Sequence, residues 1–294
     1  LGYELSRSNM ANWTIQLGER IEKLLGLLRL SILSGPLIQI DETTLQVLKE
    51  KDRAPTSKSY MWVMRGGAPE NPGIYFHYSP SRGSRVAQDL LMNYEGVVQT
   101  DGYAGYDYLD NSPEIQHAGC WAHARRKFTD VLKAKGKYDK KKAKSGHAEQ
   151  AVDFIGQLYG IERQADKEEL PPELRATLRM EKAMPVLDTF HSWLTETGLK
   201  TPPKGLLGKA IGYTLKRWDQ MILYVNSGFV TPDNNRAENA IRPFVVGRKN
   251  WLFNDTPAGA KASAGLYSLI ETARANNLNP FEYLKLLFEK LPFV

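Results

Sequence analysis

The stretch GVVQTDGYAGY, Gly96 to Tyr106, decides how this chain is read. Val97, Val98, Gln99 and Thr100 favour an extended strand, and Asp101-Gly102 halts it. On its own, Asp101 opens a turn. Beside a second strand that also carries a carboxylate, it is a side chain displayed at a sheet edge for chemistry. The choice depends on the strands around it.

Three strand-like runs come first: PLIQIDETTLQVL (36–48), SYMWVMRGG (59–67) and GIYFHYSP (73–80). Polar, Gly- and Pro-containing gaps separate them, as in an antiparallel meander. SRVAQDLLMNY (84–94) then has helical spacing through Val86, Leu90 and Tyr94. A helix there permits a crossover, so that 96–100 pairs parallel to the first strand. EIQHAGCW (114–121) supplies a short fifth strand. This order predicts a mixed sheet covered by helices, an α/β fold. Ahead of it, residues 12–34 carry a helical stripe at Ile21, Leu24, Leu25, Leu28 and Ile32, ended by Gly35-Pro36. From about 122 to 226 the apolar spacing is helical throughout, with a kink expected at Pro185. Trp62, Trp193 and Trp218 read as core. Asp233 or Asn234 suits the N-cap of a later helix with Glu238 in or near its first turn, and Pro243 should limit or kink that helix. Two further helices follow, separated by Asn279-Pro280.

With 294 residues the chain can bury a sizeable core. Its single cysteine, Cys120, excludes an intramolecular disulfide framework and a Cys-rich zinc module, and a reduced, cytoplasmic setting is expected. No secretory leader and no membrane-spanning run is recognised. The chain opens on Leu-Gly and not Met, and is read as a fragment of a longer protein. The formal net charge is +6, but residues 115–144 alone hold ten Lys/Arg against two Asp. A basic face of this kind suits a polyanion, most simply nucleic acid. A solvated lysine-rich loop is the alternative for KAKGKYDKKKAK (133–144).

Asp41 ends the apolar part of the first strand and Asp101 ends the fourth. If those strands are parallel neighbours, about 4.8 Å apart, the two carboxylates share one sheet edge. Like charges that close need a cation to neutralise them. Glu42 alternates to the other face and is not counted. Glu238, flanked by Arg236 and Arg242 in a polar helix start, is the third carboxylate of choice. Three such oxygens suit Mg2+, with Mn2+ able to substitute, and a pair of ions would serve phosphodiester chemistry. No nucleophile elbow or phosphate-binding P-loop occurs in the sequence.

IQIDET, QTDGYAGY, CWAHARRKF and, above all, NNRAENAIRPFVVGRKNWLF resemble the bacterial insertion-sequence transposases of family sixty-six, over the chain from about residue 12 to its end. These are DDE transposases with a ribonuclease H-like catalytic core. The resemblance implies that Asp41, Asp101 and Glu238 are the catalytic and metal-binding triad, at intervals of 60 and 137 residues. It implies a ribonuclease H-like mixed five-stranded sheet with flanking helices, interrupted by a large all-helical insertion. The domain plan is then a lead-in over 1–35, core over 36–128, insertion over 129–230, core again over 231–275 and a C-terminal helix over 276–294. It also implies that full-length relatives carry an N-terminal zinc- and DNA-binding part not contained here.

Cys120 and His123 form a C-x-x-H pair, two ligands short of a structural zinc site. It resembles the C-x-x-H that follows the second Asp in several DDE superfamilies, which would set His123 beside the metals as a catalytic residue. A structural histidine with a buried thiol is the alternative. Arg125, Arg126, Lys127, Arg236, Arg242, Arg248 and Lys249 can neutralise DNA phosphates without reading bases, or be exposed or ion-paired. Trp251 and Phe253 either stack on an unpaired base or pack in the core. The expected activity is Mg2+-dependent hydrolysis at transposon ends followed by strand transfer into target DNA. The expected partners are transposon-end and target DNA, a second or further copies of the chain, and accessory proteins. A nuclease that cuts without joining and a catalytically inactive DNA-binding protein are the competing readings. A glycosidase using paired carboxylates fits the basic charge poorly.

Overall fold

The computed structural model describes residues 5–134 and 146–290. The lysine-rich run falls, from Lys135 onward, outside the described residues. The strands are β1 (Leu37–Gln46), β2 (Lys58–Gly66), β3 (Gly73–Ser79), β4 (Gly96–Gln99) and β5 (Ile115–Ala118). The helices up to the fourth are α1 (Arg7–Arg20), α2 (Glu22–Leu33), α3 (Ser84–Leu90) and α4 (Trp121–Ala134). Then come α5 (His147–Lys167), α6 (Pro172–Leu178), α7 (Met184–Leu199), α8 (Leu206–Lys216) and α9 (Trp218–Ile222). The chain closes with α10 (Asn235–Trp251), α11 (Pro257–Ala275) and α12 (Pro280–Lys290). Among the described residues no helix is long and apolar enough to cross a membrane.

The strands form one five-stranded sheet in the order β3-β2-β1-β4-β5. β1, β2 and β3 are an antiparallel meander, with Ile40 opposite Met64 and Val63 opposite Phe76. α3 then carries the chain back to place β4 beside β1, the expected crossover, and a 3-10 helix, Ala104–Asn111, leads to β5. The result is the ribonuclease H-like mixed α/β sheet with flanking helices that the sequence implied.

The chain divides into two compact units. The first comprises the described residues up to Val98, Ala104–Gln116, and those from Asn235 onward. On one face of its sheet, Leu45, Val47, Met61, Val63, Ile74 and Phe76 pack against Ala237, Ala240, Ile241 and Phe244 of α10 and Ala260 and Ala264 of α11. The apolar stripe of each helix meets the alternate residues of the strands, which is the simplest way to bury both. The single helix expected over 12–34 is two helices. Ile21, at φ −86° and ψ 1°, leaves helical geometry at the junction and is fully buried. α10 runs on through Pro243 to Trp251. A proline there removes the hydrogen bond to the carbonyl of Asn239. Burial of Ile241 and Phe244 on either side of Pro243 offsets that cost.

β3 is an edge strand, and its outward backbone groups need partners. Two side chains of α11 supply them. Ser268 Oγ accepts from the Phe76 N–H at 2.7 Å, and Thr272 Oγ1 accepts from the Ile74 N–H at 3.0 Å. Ser268 is fully buried, so Ser268→Ala leaves the Phe76 N–H dry and unpaired. The expected cost is about 1–3 kcal/mol, read as a lower urea midpoint at unchanged slope. An unchanged midpoint would show that the edge does not depend on α11.

The second unit comprises Gln99–Tyr103 and the described residues of His117–Asn234. Trp121 is fully buried and touches Phe190 and Trp218, while Phe154 stacks on Phe190 and Trp193 borders both. Trp193 and Trp218 are half-buried in this aromatic core, and Trp62 is buried in the first unit. Pro185 lies in the first turn of α7, directly after a π-helical turn, Arg179–Ala183, so the irregularity precedes the proline. That turn aims Arg179 inward, where Glu162 and three backbone carbonyls receive it.

Candidate active site

Asp41 lies within β1, where the buried apolar part of the strand ends. The strand continues through Glu42, Thr43 and Thr44 to Gln46, because Leu45 and Val47 return to the core and the threonines tolerate an extended backbone. Asp41 is half-buried and opposes Val63, so its side chain shares the sheet face on which α10 packs. Its Oδ1 accepts from the Glu42 N–H at 2.9 Å. Glu42 points to the opposite face, as alternation requires. There its side chain is 1% exposed, paired with Arg82 at 2.6 Å and hydrogen-bonded by Tyr106. It is a structural carboxylate.

Glu238 is half-buried in the first turn of α10. The direction of α10 is fixed at its far end. Arg248 Nη1 reaches Thr43 Oγ1 at 3.2 Å and Thr44 Oγ1 at 3.3 Å, and the Asn254 N–H donates to the Gln46 carbonyl. Ten helical residues back from Arg248 span about 15 Å, the length of between four and five strand residues. The first turn of α10 therefore lies alongside the Gln39–Asp41 stretch. One face of one unit thus carries Asp41 and Glu238, with Arg236 in the same turn as Glu238.

Asp101 follows two residues after the end of β4 and belongs to the second unit. It does form the turn that Asp-Gly suggests. Asp101 Oδ1 accepts from the Tyr103 N–H at 2.8 Å, and Gly102 takes φ +83°, a conformation that favours glycine. Tyr213 donates to the Asp101 carbonyl at 2.9 Å, and Arg217 crowds Gly102. Burial raises the Tyr213 phenol above its ordinary pKa, with the Arg217 charge opposing, so it stays a donor. Among the described residues Asp101 Oδ2 has no hydrogen-bond or ion-pair partner. One oxygen thus holds the turn that the Asp-Gly dipeptide suggested.

In the same unit, His123 Nδ1 stands 3.2 Å from Cys120 Sγ, and Arg126 Nη1 is 3.3 Å from His123 Nε2. Cys120 is fully buried, and its sulfur accepts from the Asn234 N–H at 3.3 Å. The thiol therefore has a packing role whatever else the pair does. Arg125, Arg126 and Lys127 are exposed on α4, opposite its buried Trp121, Ala124 and Phe128. The Lys127 ammonium lies 4.3 Å from the Tyr213 ring centre. In the first unit Arg236, Arg242 and Lys249 are exposed. Arg248 is half-buried, and burial lowers its pKa. Trp251 packs on Phe244, whereas Phe253 is 44% exposed.

The Transposase IS66 family pattern matches residues 1–262, and the IS66 C-terminal element matches residues 268–293. The chain belongs to the IS66 transposase family. Among its curated relatives are uncharacterized proteins of Sinorhizobium fredii (strain NBRC 101917 / NGR234). The protein y4hP is 31% identical over 295 residues, which is 96% of this chain and 53% of that protein. The protein y4jD is 30% identical over 303 residues, 99% of this chain and 57% of that protein. This IS66-family chain thus spans about half the length of the curated relatives it matches.

Several residues around the carboxylates escaped the sequence reading. Tyr213 meets Asp101 and Arg217 meets Gly102 from more than a hundred residues away, and no local pattern announces them. Arg65 reads as an ordinary strand-end residue before Gly66-Gly67. Its position opposite Gln39 puts it on the Asp41 face.

Proposed function

We propose that this IS66-family chain cuts and joins DNA with Asp41, Asp101 and Glu238 as its catalytic carboxylates. The observation that carries the reading is the placing of Asp41 on the sheet face covered by α10, whose first turn bears Glu238. Asp101 is added by its position just beyond β4, the strand beside β1, and by its available Oδ2. The donor set fits Mg2+ or Mn2+, since it offers only hard carboxylate oxygens. When bound, a pair of such ions would supply an activated water and charge neutralisation at the phosphodiester.

The chain's own part is positioning and electrostatics. Arg236, Arg242, Arg248 and Lys249 hold backbone phosphates on one unit, and Arg125, Arg126 and Lys127 do so on the other. His123 orients a phosphate or a ligand carboxylate. In hydrolysis water adds to phosphorus and the bond to the 3′ oxygen breaks, leaving a 3′-hydroxyl at the transposon end. In strand transfer that hydroxyl attacks a target phosphodiester, forms the new ester and expels a target 3′-hydroxyl. No covalent enzyme intermediate is required. The family resemblance supports work in a dimer or higher multimer on paired ends.

Crystals soaked in Mn2+ and measured at its absorption edge test the site directly. Anomalous peaks are expected among the three carboxylates. Ordered side chains with no peak at saturating metal would overturn the assignment.

A further inference from the structure

Arg65 presents a charge without an obvious reason. It is half-buried on β2, and among the described residues its guanidinium makes no ion pair or hydrogen bond. Val63, two residues earlier on the same face, is fully buried under α10. Asp41, opposite Val63, is a diagonal neighbour of Arg65, about 7–8 Å away across the strands, yet the two are not ion-paired. The nearby charge that most affects Arg65 is a cation, Arg236, in the first turn of α10. Burial and that neighbour pull the guanidinium down to about 10, so it stays protonated at neutral pH beside a like charge. A folded protein does not gain stability from a partly desolvated guanidinium that has a second cation as its neighbour. Guanidinium forks match phosphate oxygens in a bidentate geometry.

We infer that Arg65 and Arg236 together clasp one phosphate of the DNA backbone next to Asp41 and Glu238, making Arg65 a substrate-positioning residue. The inference rests on the proposed DNA reading and adds a residue on β2 to it. The clasp fixes where the strand runs relative to the carboxylates. It is indifferent to base sequence, because it addresses only phosphate oxygens.

The test is DNA binding by the full chain in EDTA, where cleavage plays no part. A fluorescent 20-base-pair duplex is titrated at several salt concentrations with wild type, Arg65→Gln, Arg236→Gln and the double variant. Each single substitution is expected to weaken binding about fivefold to tenfold and to lower the salt slope by about one. The double variant should lose less than the product of the singles, because both serve one phosphate. Arg65→Gln should melt no lower than wild type, since it removes a partly buried charge whose charged neighbour is a cation. Unchanged affinity and slope in Arg65→Gln would overturn the clasp. So would a lower melting temperature with unchanged binding, which marks a structural arginine. If Arg65→Gln does not fold, Arg65→Lys, which keeps the charge but loses the fork, is read in the same way. A wild-type chain that binds no DNA at any salt would instead sink the DNA reading itself.

Discussion

Asp41→Asn, Asp101→Asn and Glu238→Gln each reduce Mg2+-dependent cleavage of a DNA duplex by at least about a hundredfold to a thousandfold. Each change is nearly isosteric and removes one unit of negative charge. Stability should hold, because each side chain keeps its shape and Asp101→Asn keeps the Oδ1 that accepts from the Tyr103 N–H. The contrast is Glu42→Gln. Glu42 neighbours Asp41 in sequence but is buried on the other face with Arg82 and Tyr106. The change removes the carboxylate charge that Arg82 meets at 2.6 Å and weakens the bond from Tyr106. That variant should melt lower and, where folded, still cleave. Cleavage rates and melting curves for the four variants separate a catalytic carboxylate from a structural one at adjacent positions. An Asp41→Asn protein that cleaves at the wild-type rate removes the proposed site.

How much of this was legible before the fold was known varies by residue. The alternation of β1 put Glu42 on the wrong face for catalysis, and it lies there, because a two-residue period leaves no other choice. The crossover between β3 and β4 was legible from the helical spacing of 84–94. The extent of β1 was legible in the run 36–48, because Leu45 and Val47 draw the chain back into the core after the charged and hydroxyl residues that follow Ile40. Pro243 was expected to limit or kink its helix because its local penalty is plain, whereas the burial that lets α10 run on depends on a sheet far away in sequence. Arg65 was invisible for the same reason. Its side chain matters only through α10, which follows it by about 170 residues.

Arg179→Met should destabilise the second unit by about 3–5 kcal/mol. Arg179 is 1% exposed. Its Nε and Nη2 meet the two oxygens of Glu162 at 2.7 Å each. Its Nη1 donates to the carbonyls of Tyr224, Ser227 and Val230 at 2.8, 2.5 and 3.0 Å. Methionine fills similar volume but donates nothing. It takes donors away from a buried carboxylate, two buried carbonyls and a partly buried one at once. Arg175, also on Glu162 at 3.1 Å, compensates only in part because it reaches none of those carbonyls. Arg179→Lys keeps the charge with one ammonium in place of a planar fork, and should recover less than half of the loss. Hydrogen exchange adds a local signature. Amides around Tyr224 to Val230 should lose protection first, since Arg179 ties that irregular segment to α5. The same segment leads into Thr231, whose carbonyl accepts from buried Gln99 at 2.6 Å, and so into the backbone just before Asp101. A methionine variant within about 1 kcal/mol of wild type would mean that backbone packing alone holds the segment, and that the arginine is dispensable.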